Sequence, residues 1–103
     1  MNADNKIIIG GLSEELIMQI IDTINSTSKP KRIILYGSRA RDDYYRTSDI
    51  DLAIENVSST YIIKDALEEQ VNTLLFFDVV NLDSVCQRLQ QRILTEGKVL
   101  YEQ

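Results

Sequence analysis

Histidine is absent from the chain. Without an imidazole the protein supplies no Ser-His-Asp triad, no histidine base and no histidine metal ligand. Cys86 is the single cysteine, which excludes an intrachain disulfide and a thiolate metal cluster and fits a reducing compartment. Long hydrophobic runs are missing too: no window approaches the roughly eighteen apolar residues of a membrane span. The opening Met1-Asn2-Ala3-Asp4-Asn5-Lys6 has no basic segment followed by an apolar one, so a cytoplasmic location without membrane association is expected. Basic side chains are the minority, 11 against 16 acidic, for a formal charge of -5. That balance offers nucleic acid no broad footprint, and direct nucleic-acid binding is not expected, although a local basic cluster can still hold a nucleotide. What is present is 103 residues, 44% of them hydrophobic and 26% charged, enough for one small domain with a modest core.

The apolar pattern divides the chain into helices packed on a small sheet, an α/β (α+β) arrangement with about three main helices. Ile7-Ile8-Ile9 stops at Gly10-Gly11 and is too short to assign firmly to a strand. Ser13 caps a helix that opens with Glu14 and Glu15 and carries Leu16, Ile17, Ile20, Ile21 and Ile24 on its buried stripe. Pro30 begins a turn before the β-rich run Arg32-Ile33-Ile34-Leu35-Tyr36, which ends at Gly37. A second helix follows Ser58-Ser59-Thr60, with Ile62, Ile63, Ala66, Leu67 and Val71 inward. Leu75 to Val80 reads as a strand. Asp83 or Ser84 then caps a last helix that buries Val85, Cys86, Leu89, Ile93 and Leu94 and ends at Gly97, before a short edge strand at Val99-Leu100-Tyr101.

Chemistry concentrates between Gly37 and Ile54. Alternation along the strand that begins at Asp49 puts Asp49, Asp51 and Ala53 on one face and Ile50, Leu52 and Ile54 on the other. Paired carboxylates repel unless something bridges them, and a divalent cation does so. Asp78 interrupts an apolar strand, so it needs a metal, a partner or a solvated cleft. If its strand lies beside that of Asp49 and Asp51, the three carboxylates converge as metal ligands and catalytic groups, and two magnesium ions about 3.5–4 Å apart can bridge a phosphate. Gly37-Ser38 forms a strand-ending turn whose amides and hydroxyl face an anion. Arg39 and Arg41 are candidates to clamp phosphate oxygens, and Ser48 shapes the turn before Asp49 at the edge of the nucleotide site. Tyr44 and Tyr45 are read either as base-stacking residues or as loop packing.

Gly37-Ser38, ten intervening residues, Asp49-Ile50-Asp51 and the later Asp78 resemble the signature of the minimal nucleotidyltransferase domains of the DNA polymerase β-like superfamily. The resemblance implies a palm-like fold over residues 13–103, preceded by an N-terminal extension at residues 1–12. It also implies a Gly-Ser turn on the triphosphate of ATP, paired aspartates on two Mg²⁺ ions, and a third aspartate on the metal that activates the acceptor hydroxyl. Family members commonly carry glycine at the position of Asp42 and Pro-Gly at Arg46-Thr47. The implied function is Mg-dependent transfer of AMP from ATP, with release of pyrophosphate, to a tyrosine of an all-helical HEPN or substrate-binding-like partner, in an antitoxin role. A partner or a second copy of the chain completes the cleft. The alternatives are a non-catalytic nucleotide-binding antitoxin or assembly subunit that acts by covering its helical partner and, more remotely, a metal-dependent nuclease.

Overall fold

The computed structural model describes residues 7–103, so the first six residues of the N-terminal extension lie outside it. Ten elements follow one another: β1 Ile7–Ile9, β2 Leu12–Ser13, α1 Glu14–Thr27, β3 Arg32–Tyr36, α2 Ser38–Arg41, β4 Ile50–Glu55, α3 Thr60–Gln70, β5 Phe77–Asn81, α4 Gln87–Glu96 and β6 Lys98–Glu102. Gly10 and Gly11 both have positive φ, which suits the tight turn joining β1 to β2 as an antiparallel hairpin. The remaining strands form one mixed sheet in the order β5-β4-β3-β6, antiparallel except for the β4–β5 pair. This is the α/β architecture expected from the apolar pattern.

Alternation along the strands decides what each sheet face carries. Ile33 and Leu35 of β3, with Ile50, Leu52 and Ile54 of β4, point to one face, where Ile17, Ile20 and Ile24 of α1 and Ile63 and Leu67 of α3 close over them. Leu12 joins this core, tying the hairpin to the body of the protein. The other face is thinner: Ile34, Ala53 and Leu82 meet Ile93 of α4, with Tyr36, Val80, Val85 and Leu89 half-buried around them. Caps occur where the sequence places them, Ser13 Oγ accepting from the Leu16 amide at 3.2 Å and Ser59 Oγ from the Ile62 amide at 3.4 Å.

Three local expectations are corrected. α4 begins at Gln87 rather than after Asp83 or Ser84, so Cys86 is its N-terminal flanking residue and is exposed, not packed with Leu89 and Ile93. Asp83 instead accepts the Asn56 amide at 2.8 Å. β5 starts at Phe77, leaving Phe76 at 70% exposure outside the strand, and Ile62 and Leu94 turn outward. In each case the true helix or strand boundary, or the width of the face that is covered, differs from what a continuous apolar period suggests.

Candidate active site

Strand register gathers the polar residues. Tyr36 on β3 is paired with Asp51 on β4, and Asp51 is paired with Asp78 on β5. These three side chains therefore form one row across three adjacent strands, each about 4.8 Å from the next, on the face that α4 covers. The next row, Ile34, Ala53 and Val80, is apolar and lies under α4. The helix thus seals the second row and leaves the first open at the sheet's end.

Gly37 completes this edge. Its φ of 77 lies where L side chains are rarely found, and a Cβ there would run into the carboxyl of Asp51. The strand-ending turn and the metal-type carboxylate are thus built against each other, and only glycine permits the approach. Behind it, Ser38 opens the one-turn helix α2, and Gly37 O accepts from the Ala40 and Arg41 amides at 3.1 Å.

Burial, with Asp78 and Asp49 adding repulsion, pushes the Asp51 carboxyl up to about 6 against the opposing pull of Arg41 and Arg39. Burial, then the Asp78 and Asp51 carboxylates of its row, push the Tyr36 phenol up to about 12. These shifts locate an excess of negative charge on Asp51 and its neighbours that a cation would relieve. The donor set is all oxygen, as magnesium prefers. Among the described residues no three His, Cys, Asp or Glu side chains stand together as a metal-binding group. What the fold fixes is the in-register pair Asp51 and Asp78; Asp49, one residue before β4, is exposed and contributes its charge from the strand's head.

The two arginines of the motif have opposite fates. Arg39 is only 2% exposed, and its guanidinium donates to Gly10 O at 2.7 Å, Ser48 O at 3.0 Å, Arg46 O at 3.1 Å and, weakly, Tyr45 O at 3.5 Å. It also stacks on the Tyr44 ring, 4.9 Å from the centroid. In place of a phosphate clamp, Arg39 is the internal tie of the loop. Arg41 is exposed and loosely paired with Asp43 at 3.3 Å and Glu96 at 3.7 Å, beside Gly37. Ser48 is also used by the loop: its hydroxyl accepts the Tyr45 amide at 2.8 Å, and its amide donates back to Tyr45 O at 3.0 Å. Tyr44 proves to be loop packing, while Tyr45 stays 79% exposed. Asp42 has φ 65, the left-handed conformation in which glycine is at ease and aspartate is tolerated. Tyr36 escaped the sequence reading; its signal was a polar aromatic at the end of an otherwise aliphatic strand.

Comparison with known proteins agrees with this geometry. Residues 18–103 match the family described as "Polymerase beta, Nucleotidyltransferase". A Methanocaldococcus jannaschii protein named "Putative protein adenylyltransferase MJ0604" is 32% identical over 97 residues, spanning 85% of this chain and 97% of that one. Among solved structures, a toxin-antitoxin complex with AMP-PNP aligns at a TM-score of 0.70 with 26% identity, covering 84% of this chain and 73% of the other. The tri-AMPylated Shewanella oneidensis HEPN toxin in complex with its MNT antitoxin aligns at 0.66 with 24% identity, covering 87% and 72%, a likeness of fold. With the family match spanning most of its length and a Gly-Ser turn pressed against an in-register pair of aspartates, this chain belongs to the polymerase beta nucleotidyltransferase family.

Proposed function

We propose that the protein is a Mg-dependent adenylyltransferase that moves AMP from ATP to a tyrosine hydroxyl of an all-helical HEPN-type partner, and acts as that partner's antitoxin. The observation that carries the reading is the row Tyr36, Asp51, Asp78 set directly against Gly37, which juxtaposes a phosphate-binding turn with paired oxygen ligands. Support also comes from the naming of the archaeal relative as a protein adenylyltransferase and from the AMP-PNP complex of a toxin-antitoxin pair with the same fold.

Asp49, Asp51 and Asp78 would hold magnesium, whose contribution is to neutralise phosphate charge and acidify the acceptor hydroxyl. The chain's own residues do the rest. Gly37 and Ser38 present amides and a hydroxyl to the polyphosphate. Asp78, exposed on the edge strand β5, faces the side from which a large acceptor can approach and receives the acceptor's proton. The acceptor oxygen forms a bond to the α-phosphorus, the bridge to the β-phosphate breaks, and pyrophosphate leaves with the electron pair. Incubation of the chain with ATP, Mg²⁺ and the helical protein encoded beside it should add one or more AMP masses to a tyrosine of that protein. No added mass together with no ATP binding would overturn the assignment. The covering-subunit alternative predicts that a variant with alanine at 49, 51 and 78 still neutralises the partner.

A further inference from the structure

Beyond Gly37, on the α4 side of the sheet, lies a cleft of about 230 Å³ lined by Tyr36, Gly37, Arg41, Leu89, Arg92 and Glu96. Two cations from separate helices, Arg41 of α2 and Arg92 of α4, share one carboxylate oxygen there. Glu96 Oε1 stands 3.7 Å from Arg41 Nη1 and 3.6 Å from Arg92 Nε. Charge-assisted hydrogen bonds close to about 2.7–2.9 Å when well made, so both guanidiniums are loosely held, Arg41 at 36% side-chain exposure with a further contact to Asp43 at 3.3 Å and Arg92 at 63%. Sheet order gives the cleft a direction. Asp78 on β5, Asp51 on β4 and Gly37 after β3 follow one another across the sheet, and the arginine cleft continues that line past Gly37. A nucleotide with its α-phosphorus at the aspartates and its next phosphate on the Gly37-Ser38 turn would carry its tail into this cleft.

We propose that Arg92 and Arg41 form the pocket for the terminal phosphates of the triphosphate and for the pyrophosphate that leaves. Glu96 is a built-in competitor that occupies both guanidiniums until the polyphosphate displaces it. Paired guanidiniums suit this ligand because each offers several donors in a planar fork to phosphate oxygens. A single carboxylate satisfies them only in part, so exchange for a polyanion of higher charge is favourable. The inference rests on the nucleotidyl-transfer reading and adds to it the residues that distinguish ATP from AMP.

Calorimetric titration of the intact chain with Mg²⁺ and ATP, AMP or pyrophosphate, in the absence of any acceptor, tests it. Arg92→Ala should weaken ATP and pyrophosphate binding about tenfold and leave AMP unaffected, while Glu96→Gln should strengthen ATP binding a few-fold with AMP again unchanged. Arg92 is on an exposed helix face, and an unchanged melting temperature confirms that each variant is folded. Wild-type protein that binds ATP alongside an Arg92→Ala variant that binds it equally well, or that loses AMP to the same degree, sinks this inference alone. Wild-type protein that binds no ATP sinks the transfer reading with it.

Discussion

The two faces of the sheet are built from alternate residues of the same strands, yet they are organised for opposite ends. Under α1 and α3 every inward position of β3 and β4 is a fully buried aliphatic, and nothing there is exposed or charged. Under α4 only one row is sealed, and the row beside it holds Tyr36, Asp51 and Asp78, with Tyr36 and Asp51 at raised electrostatic cost. One face supplies the stability that the other spends, and substitutions should separate the two accordingly. Asp51→Asn is expected to lower AMP transfer by about 10³-fold. In metal-free buffer the same change should stabilise the fold by on the order of 2 kcal/mol at pH 8. The sign follows from the raised pKa: the wild-type carboxyl costs nothing below its unfolded value near 4 and becomes a penalty as pH rises through about 6. Urea unfolding at pH 8 and near pH 4 should therefore show a gain that closes at the lower pH; a gain independent of pH would contradict it.

The opposite behaviour is expected one residue away. Leu52→Ala, on the sealed face, should cost about 3 kcal/mol in urea unfolding while transfer per folded molecule stays near wild type. Within the Gly37-to-Ile54 motif, Arg39→Met should cost about 2 kcal/mol by stranding the loop carbonyls it serves, whereas Arg41→Met, on exposed and long ion pairs, should change stability by less than about 0.5 kcal/mol. Equal losses for the two arginines would show that Arg39 is not the loop's tie. The smallest effect belongs to Asp42→Gly, which should gain about 0.5 kcal/mol by relieving the left-handed backbone, offset in part by the freer unfolded chain.

Much of this was legible in the sequence, for identifiable reasons. Alternation from Asp49 to Ile54 fixed which side chains share a face, and the aliphatic run ending in Gly37 marked a strand and its turn. The meeting of Asp78 with Asp51 depended on β5 lying parallel beside β4, which no local pattern specifies. Arg39 was misjudged because its partners are backbone carbonyls up to twenty-nine residues away, and carbonyls leave no trace in side-chain identity. Cys86 was misjudged because apolar spacing ran on past the point where α4 begins. Arg92 and Glu96 lay on a polar helix face, and only the fold brings them to Gly37.

The guanidinium at position 39 grips main-chain oxygens, and main-chain oxygens are the same whatever residue carries them. The outer side chains at Tyr45 and Arg46, whose carbonyls Arg39 holds, can consequently be exchanged while the path of the loop is kept. Surface chemistry at that rim can therefore vary without disturbing the contact between Gly37 and Asp51 beside it.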